Sequence, residues 1–442
     1  MSEELKFREI TQEEDKITIL TISDHPMSPS GVGTQTRYII EGMLKTGKYK
    51  FISMGGAINH PEDQPQKTEE WGDDWIIYPV EGYGNQDQVR TLLRQHRPDI
   101  LYFMTDPRFY GWLWDIENEI RSQVPMVYYH VWDNLPYPDF NTSFYLSNDY
   151  IATISKVTDD IVKHLVPDVN SQYLPHAVDH TLFREHTKQE LAELEESLKS
   201  QLYDKNGNRK LMFFWNNRNA RRKMIGSLIY WFKEYLDTVG EDKAFLLLHT
   251  DPHDPNGPNL EAILANLNLL NGQIMISKDK YRPDVLAKFY ALADCTINIA
   301  DAEGFGLATL ESLSSETPII VSMTGGLQEQ VTDGENWFGI GIEPASKAVV
   351  GSQDVPYIYE DRVSKKDFLD ALIKFTNMPD EGRKALGKAG REHVIKNYNF
   401  TAFIDSWDKV FTSIYKKYGS WEDRKLYKSW ELIDLSPKKE AV

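Results

Sequence analysis

Short runs of β-branched and aromatic residues alternate with segments of helical period along nearly the whole chain. KITILTIS (16–23), rich in Ile and Thr, reads as a buried strand. A Pro/Gly/Ser loop follows, then TQTRYIIEGMLKTG with the spacing of a helix. YKFISMGG, WIIYPV, DILYFM, PMVYYH, DYIATIS and SQYLP repeat the strand signal, with helical stretches such as VRTLLRQH between most of them. After residue 205 the alternation resumes: KLMFFW, KAFLLLH, GQIMIS, CTINIA and PIIVS read as strands, IGSLIYWFKEYL and PDVLAKFYALA as helices. Strands apolar on both faces and followed by helices predict parallel sheets covered on both sides. Two such series predict an α/β chain of two doubly wound, Rossmann-like domains.

The charged segment 184–210, REHTKQELAELEESLKSQLYDKNGNRK, separates the two series. Its leucine spacing predicts an amphipathic helix that ends in an Asn-Gly turn and connects the domains. From about residue 380 the pattern is helical, and the aromatic patches through YGSWEDRKLYKSW predict a tail that packs back across a domain. The expected division is a first domain over 1–180, a second over 181–400 and a helical tail over 401–442. Ligands of doubly wound sheets bind beyond the carboxyl ends of the strands. The expected site is therefore the cleft where the two domains face each other.

Composition narrows the chemistry. The formal net charge of −18 argues against a broad nucleic-acid-binding surface, though not against a local basic cleft. Cys295 is the single cysteine, which excludes an intrachain disulfide and suits a reducing compartment. MSEELKFREITQEEDK at the start lacks the apolar core of a signal peptide, and no apolar run reaches the roughly 20 residues of a membrane span. The expected location is cytoplasmic, with peripheral contact at a membrane left open.

Candidate chemistry then lies just after the strands. Gly31 and Gly33 follow the first strand, where they permit close backbone approach before a helix N-terminus. The alternative is an ordinary strand-to-helix turn. His130 ends PMVYYH with Asp133 close behind; a lone histidine there is either a ligand contact or a satisfied structural residue. Arg218, Arg221, Arg222 and Lys223 cluster between a strand and a helix of an acidic chain. Cations at a helix N-terminus oppose its dipole, so an anion such as a diphosphate between them makes the pattern intelligible. His249, Asp251, His253 and Asp254 share a Pro-rich loop without a known ligand spacing, so loop structure ranks ahead of metal binding. In DAEGFGLATLES (301–312), Gly304 and Gly306 expose a helix N-terminus, with Glu303 at the mouth of the turn and Glu311 one turn inside the helix. Carboxylates accept paired hydrogen bonds from vicinal hydroxyls, so these two could hold two polyols, a sugar ring and a ribose.

With these motifs in order, the chain resembles the retaining GT-B glycosyltransferases, in particular glycosyltransferase family 4. EGFGLATLE (303–311) looks like that family's E-x7-E element, and Arg218 with Lys223, five positions on, is similar to its Arg/Lys pair. PHAVDHTLF (175–183) and GGLQEQVTDGENWFGIGIEP (325–344) resemble its interdomain segment and the stretch after E-x7-E. The resemblance implies a nucleotide-sugar donor held mainly by the second domain, an acceptor hydroxyl held by the first, and no essential cofactor or metal. It implies that Glu303 binds sugar hydroxyls near the Phe305 and Leu307 amides, that Glu311 binds the ribose, and that Arg218 and Lys223 bind the diphosphate. It places His130 by the transferred sugar and Gly33 against the donor from the first domain.

The chain departs from the family pattern at Asn217-Arg218, Lys223-Met224, Ala300 and His176-Ala177. Arg221 and Arg222 could share the phosphate role. Three further readings keep the architecture: transfer to a modified base in DNA, which the acidic charge disfavours; 2-epimerisation of a sugar nucleotide, which the E-x7-E spacing disfavours; and a sugar-nucleotide-binding scaffold without turnover. Oligomeric state has no signature in the sequence.

Overall fold

The computed structural model describes residues 16–59 and 64–430. The chain start discussed for a signal peptide therefore lies almost wholly outside the described residues. Strand β1 (Ile17–Asp24) is buried at all but one position, as a strand covered on both faces must be. It lies inside a sheet with β2 (Tyr49–Ile58), β3 (Gln66–Lys67), β4 (Trp75–Glu81), β5 (Ile100–Thr105), β6 (Met126–His130), β7 (Tyr150–Thr153) and β8 (Ser171–Tyr173). The order is β3-β4-β2-β1-β5-β6-β7-β8, parallel except for the short β3, which pairs antiparallel with β4.

The second sheet contains β9 (Leu211–Asn216), β10 (Ala244–His249), β11 (Ile274–Ser277), β12 (Cys295–Asn298), β13 (Ile319–Ser322) and β14 (Gly339–Ile342). It is wholly parallel, in the order β11-β10-β9-β12-β13-β14. Strand order reverses between β1 and β5 in one sheet and between β9 and β12 in the other. Such switch points open the crevices in which ligands of doubly wound sheets bind. The chain leaving β1 carries Gly31, that leaving β9 carries the Arg/Lys cluster, and that leaving β12 carries Glu303.

The connector forms a helix, Lys188–Ser197, started by a reciprocal Thr187/Glu190 cap, then a short Lys199–Leu202 helix and a turn at Asp204–Asn208. Leu191, Leu198 and Leu202 turn inward, and the first helix packs on the Pro283–Leu292 helix of the second domain. The tail divides. The Asp380–Asn397 helix lies against the Leu307–Ser314 helix of the second domain, whereas the Phe400–Tyr418 helix returns to the first and packs on Gly31–Lys45 and β5. There Trp407 is fully buried between Tyr102 and Tyr129, at ring separations of 5.5 and 4.9 Å. Arg424 fixes the following turn on Asp149 at 2.8 Å.

An antiparallel hairpin, β15 (Ser346–Val350) and β16 (Ile358–Arg362), projects from the second domain onto the first. Val355 joins the first domain's core, and the Tyr359 amide and carbonyl bond to Leu135 and Asn134. Among the described residues no helix is long and apolar enough to cross a membrane. The architecture is thus two facing Rossmann-like domains with a helical tail folded back, the GT-B arrangement.

Candidate functional site

The Gly-Phe-Gly turn after β12 is shaped by what lies behind it. Gly306 caps the Leu307–Ser314 helix in the left-handed region, at φ +93°, and a Cβ there would stand 2.6 Å from Leu327. Gly325, at φ +47°, lies so close to the Glu303 carbonyl that any side chain would run into it. Gln330 donates to the Phe305 and Gly306 carbonyls at 2.7 and 3.1 Å. The GGLQEQ stretch is therefore the brace that sets the turn. His176, where the family pattern has asparagine, supports the turn from the other side, with its ring 5.1 Å from Phe305 and bonded to the Tyr129 hydroxyl at 2.8 Å.

No side chain caps the Leu307–Ser314 helix, and its first turn contains no acidic residue. Its first residue, Leu307, reaches a second helix start with its side chain. The Gly31–Lys45 helix begins at Gly31 itself, capped by Ser30, so both glycines belong to its first turn rather than to a preceding loop. Gly31 is exposed, and a Cβ on it would lie 3.2 Å from Leu307 across the cleft. Gly33 is buried, and the space above it is filled by its own chain, with Ser28 Oγ at 2.5 Å. Two helix N-termini, one from each domain, thus converge on one space, where their dipoles favour an anion.

The cations after β9 divide between two directions. Arg218 is 65% exposed in its side chain and paired with Asp254, and Arg221 turns to Glu360, which also receives Arg362 at 2.8 Å. Arg222 and Lys223 turn inward, Arg222 to the Ala302 carbonyl and Lys223 to the Glu303 carboxylate. Lys223 and Glu303 are both buried. Burial and the neighbouring Arg222 push the Lys223 ammonium down to about 8, against the pull of Glu303 and Asp133. Burial works against the Glu303 charge, but Lys223 and Arg222 outweigh it and hold the carboxyl below its ordinary value. Asp133 enters from the first domain, where burial lifts its carboxyl to about 6 against Arg222. Asp106, at the end of β5, is also raised by burial and also faces Arg222.

His130 is fully buried beneath this space. Its Nε2 meets the Tyr145 hydroxyl at 2.8 Å, its Nδ1 has no partner among the described residues, and burial takes the ring down to about 3, so it is neutral. Glu311 is half-buried beside the Tyr290 hydroxyl, and burial lifts its carboxyl to about 7. Tyr38 of the first domain is close enough to feel the Glu311 charge.

The structure therefore brings together Glu303, Lys223, the 304–307 turn and Gly31. It places Glu311 further along the same helix, His130 below, and Arg218 on Asp254. In the 246–259 loop Asp251 accepts from the His253 amide and Asp254 from the Asn256 amide, both at 2.9 Å, and Asp254 also takes Arg218. Asp106 carries a signal like that of His130, a polar residue at the carboxyl end of a strand. Tyr38 and Tyr290 carry none, because both sit in helical patterns that read as core.

Residues 204–393 match the family model described as "Glycosyl transferases group 1". A D-inositol 3-phosphate glycosyltransferase of Thermomonospora curvata is 40% identical over 67 residues, which is 15% of this chain and 16% of that protein. The similarity thus spans about one sixth of that curated relative. A sucrose-phosphate synthase from Thermosynechococcus elongatus superposes with a TM-score of 0.70 at 15% identity, over 91% of this chain and 100% of that one. A glycosyltransferase from Rickettsia africae gives 0.67 at 16% identity, over 91% and 99%. An Escherichia coli structure described as trehalose-6-phosphate bound with UDP-2-fluoro glucose gives 0.64 at 12% identity, over 89% and 98%. Over about nine tenths of its length the chain thus shares the GT-B fold of these structures, and residues 204–393 match the glycosyl transferases group 1.

Proposed function

We propose that this protein is a retaining glycosyltransferase of family 4 type, which moves a sugar from a nucleotide-sugar donor to an acceptor hydroxyl. The observation that carries the reading is the pair of helix N-termini, Gly31 and Leu307, facing each other beside Lys223 and Arg222. That space has the charge and the donors to receive a diphosphate. The named ligand of the E. coli structure, UDP-2-fluoro glucose, is a molecule of this class.

In this reading Glu311 accepts the ribose hydroxyls and Glu303 the hydroxyls of the transferred sugar. Lys223, with Arg222 beside it and Arg218 once it leaves Asp254, holds the diphosphate. The bond between the anomeric carbon and the diphosphate breaks, and its electron pair goes to the leaving phosphate. The acceptor oxygen bonds to the same face of that carbon, and its proton passes to the departing phosphate oxygen. Stabilising that charge is the main contribution of Lys223 and the helix amides. His130, neutral and buried on the Tyr145 hydroxyl, lies beneath the surface that the sugar would meet and supports it rather than touching it.

The test is a thermal-shift screen of UDP, GDP, ADP and their sugar conjugates against wild type and Glu311→Ala. A ligand at a hundred times its dissociation constant adds about 2.7 kcal/mol, a shift of a few degrees in a chain of this size. The expected result is one nucleotide that stabilises the wild type and not the variant, and release of that nucleotide from its sugar conjugate that Glu303→Ala abolishes. Stabilisation by none of them, or unchanged turnover in Glu303→Ala, overturns the reading.

A further inference from the structure

Beyond the carboxyl end of β4, residues 81–85 and the turn after β5 line an open pocket of about 530 Å³ in the first domain. Tyr83, Phe109 and Trp112 give it aromatic walls; Glu81, Asn85 and Gln88 give it polar groups. Phe109 is 41% exposed, with its ring 5.2 Å from Tyr83. The pocket borders the proposed donor space. The Tyr83 hydroxyl donates to Asp24 at 2.7 Å, and Asp24 accepts from Ser30, the cap of the Gly31–Lys45 helix, at 2.5 Å.

The charge in and behind this pocket is negative. Glu81 is the one charged residue in its lining, and Asp24 and Asp106 stand at the adjoining strand ends. The neighbouring cation, Arg108, lies 4.9 Å over the Phe109 ring and 3.5 Å from Asp106, which offsets its charge. A phosphate entering here meets Glu81 and, behind it, Asp24, neither of which is ion-paired among the described residues, and like charge against like charge suppresses a partner. Flat aromatic walls with a few placed polar groups suit a ring that is apolar on its faces and hydroxylated at its edge.

We propose that this pocket is the acceptor subsite and that it takes the ring of an unphosphorylated sugar or glycoside. The assignment as acceptor site rests on the transferase reading above; the choice of a neutral ring rests on the pocket's own charge and aromatics. Ring faces lie on Phe109 and Trp112, while Glu81 accepts from the hydroxyls and the Asn85 and Gln88 side-chain NH2 groups donate to them, their oxygens being taken by the cap of the Gln86–His96 helix.

Saturation-transfer NMR with the methyl α-glycosides of glucose, mannose and galactose, and with glucose 6-phosphate, tests this without knowledge of the donor. At least one methyl glycoside should show transfer from the wild type, falling about fivefold or more in Phe109→Ala and Trp112→Ala. Glucose 6-phosphate should transfer less than methyl glucoside, and Glu81→Gln should narrow that gap. Transfer from none of the glycosides, transfer unchanged in both aromatic variants, or equal transfer from glucose 6-phosphate each overturns the proposal. Nucleoside diphosphate binding is read on the same samples. Nucleotide binding without glycoside binding sinks the pocket assignment and spares the donor reading; glycoside binding without nucleotide binding sinks the donor reading and the acceptor role with it, and leaves only a pocket for a neutral sugar ring.

Discussion

Lys223, from the turn after β9, and Glu303, from the turn after β12, form an ion pair buried on both sides. Asn298 donates to the same Glu303 oxygen at 3.2 Å, so the carboxylate is held from two directions. Removing one partner strands the other charge away from water, at a cost of about 3–5 kcal/mol, whereas removing both can be nearly neutral. Lys223→Met should therefore lose about that much stability in urea unfolding, and Lys223→Met with Glu303→Gln should recover more than half of it. A single variant that loses less than about 1 kcal/mol would show that the pair is solvated.

Arg221 and Arg222 are adjacent in sequence and opposite in direction. Arg221 serves Glu360 on the hairpin, and Arg222 faces the cleft and its carboxylates. A charge-assisted hydrogen bond contributes about 1.5–3 kcal/mol, which is about ten- to a hundredfold in affinity. Arg222→Ala should weaken nucleoside diphosphate binding by at least about tenfold, and Arg221→Ala should leave it within about threefold. Calorimetric titration of both variants decides it, and equal losses would mean that the two guanidinium groups act together.

The strands that build the site were legible because β-branched and aromatic residues are dense in them: β1, β9 and β12 read as strands in the sequence and lie in the sheets' interiors. The hairpin was not legible. SKAVV is half exposed or more along its length and IYEDR is buried only at Glu360, so neither has a buried strand's signature. For the tail the aromatic patches through YGSWEDRKLYKSW predicted packing back across a domain, but such patches do not name which domain receives the Phe400–Tyr418 helix. The Glu303–Glu311 spacing stood out because glycines and acids bracket a strand-to-helix turn. The pairings of Arg218 and Arg221 were hidden, because Asp254 and Glu360 lie 36 and 139 residues further on and no local pattern links them.

Trp407 ties the tail helix to the first domain through Tyr102 and Tyr129. Its truncation leaves a cavity in a core far along the chain from the donor-side turns. Trp407→Ala should cost about 3–5 kcal/mol in urea unfolding while the folded protein keeps its nucleoside diphosphate affinity. A loss of affinity at temperatures where the variant remains folded would show that the tail also sets the relation of the two domains.

Glu311 should give both stability and binding a pH dependence. Burial lifts its carboxyl from 4.5 to about 7, with the Tyr290 hydroxyl working the other way. Between those values the folded protein keeps a proton that the unfolded chain has released. Stability therefore falls as pH rises from about 4.5 to about 7, and Glu311→Gln should flatten that slope. Binding follows the opposite sign, because a ribose hydroxyl donates best to an ionised carboxylate, so nucleotide affinity should rise as pH passes about 7. Above about 8 Lys223 loses its proton and its attraction for a diphosphate fades, so affinity should fall again. Titrations across this range should give a peak between the two values. Glu311→Gln should remove its acid limb and Lys223→Arg, which keeps its charge, its alkaline limb. A wild-type profile that is level through pH 7 would take Glu311 out of contact with the ribose.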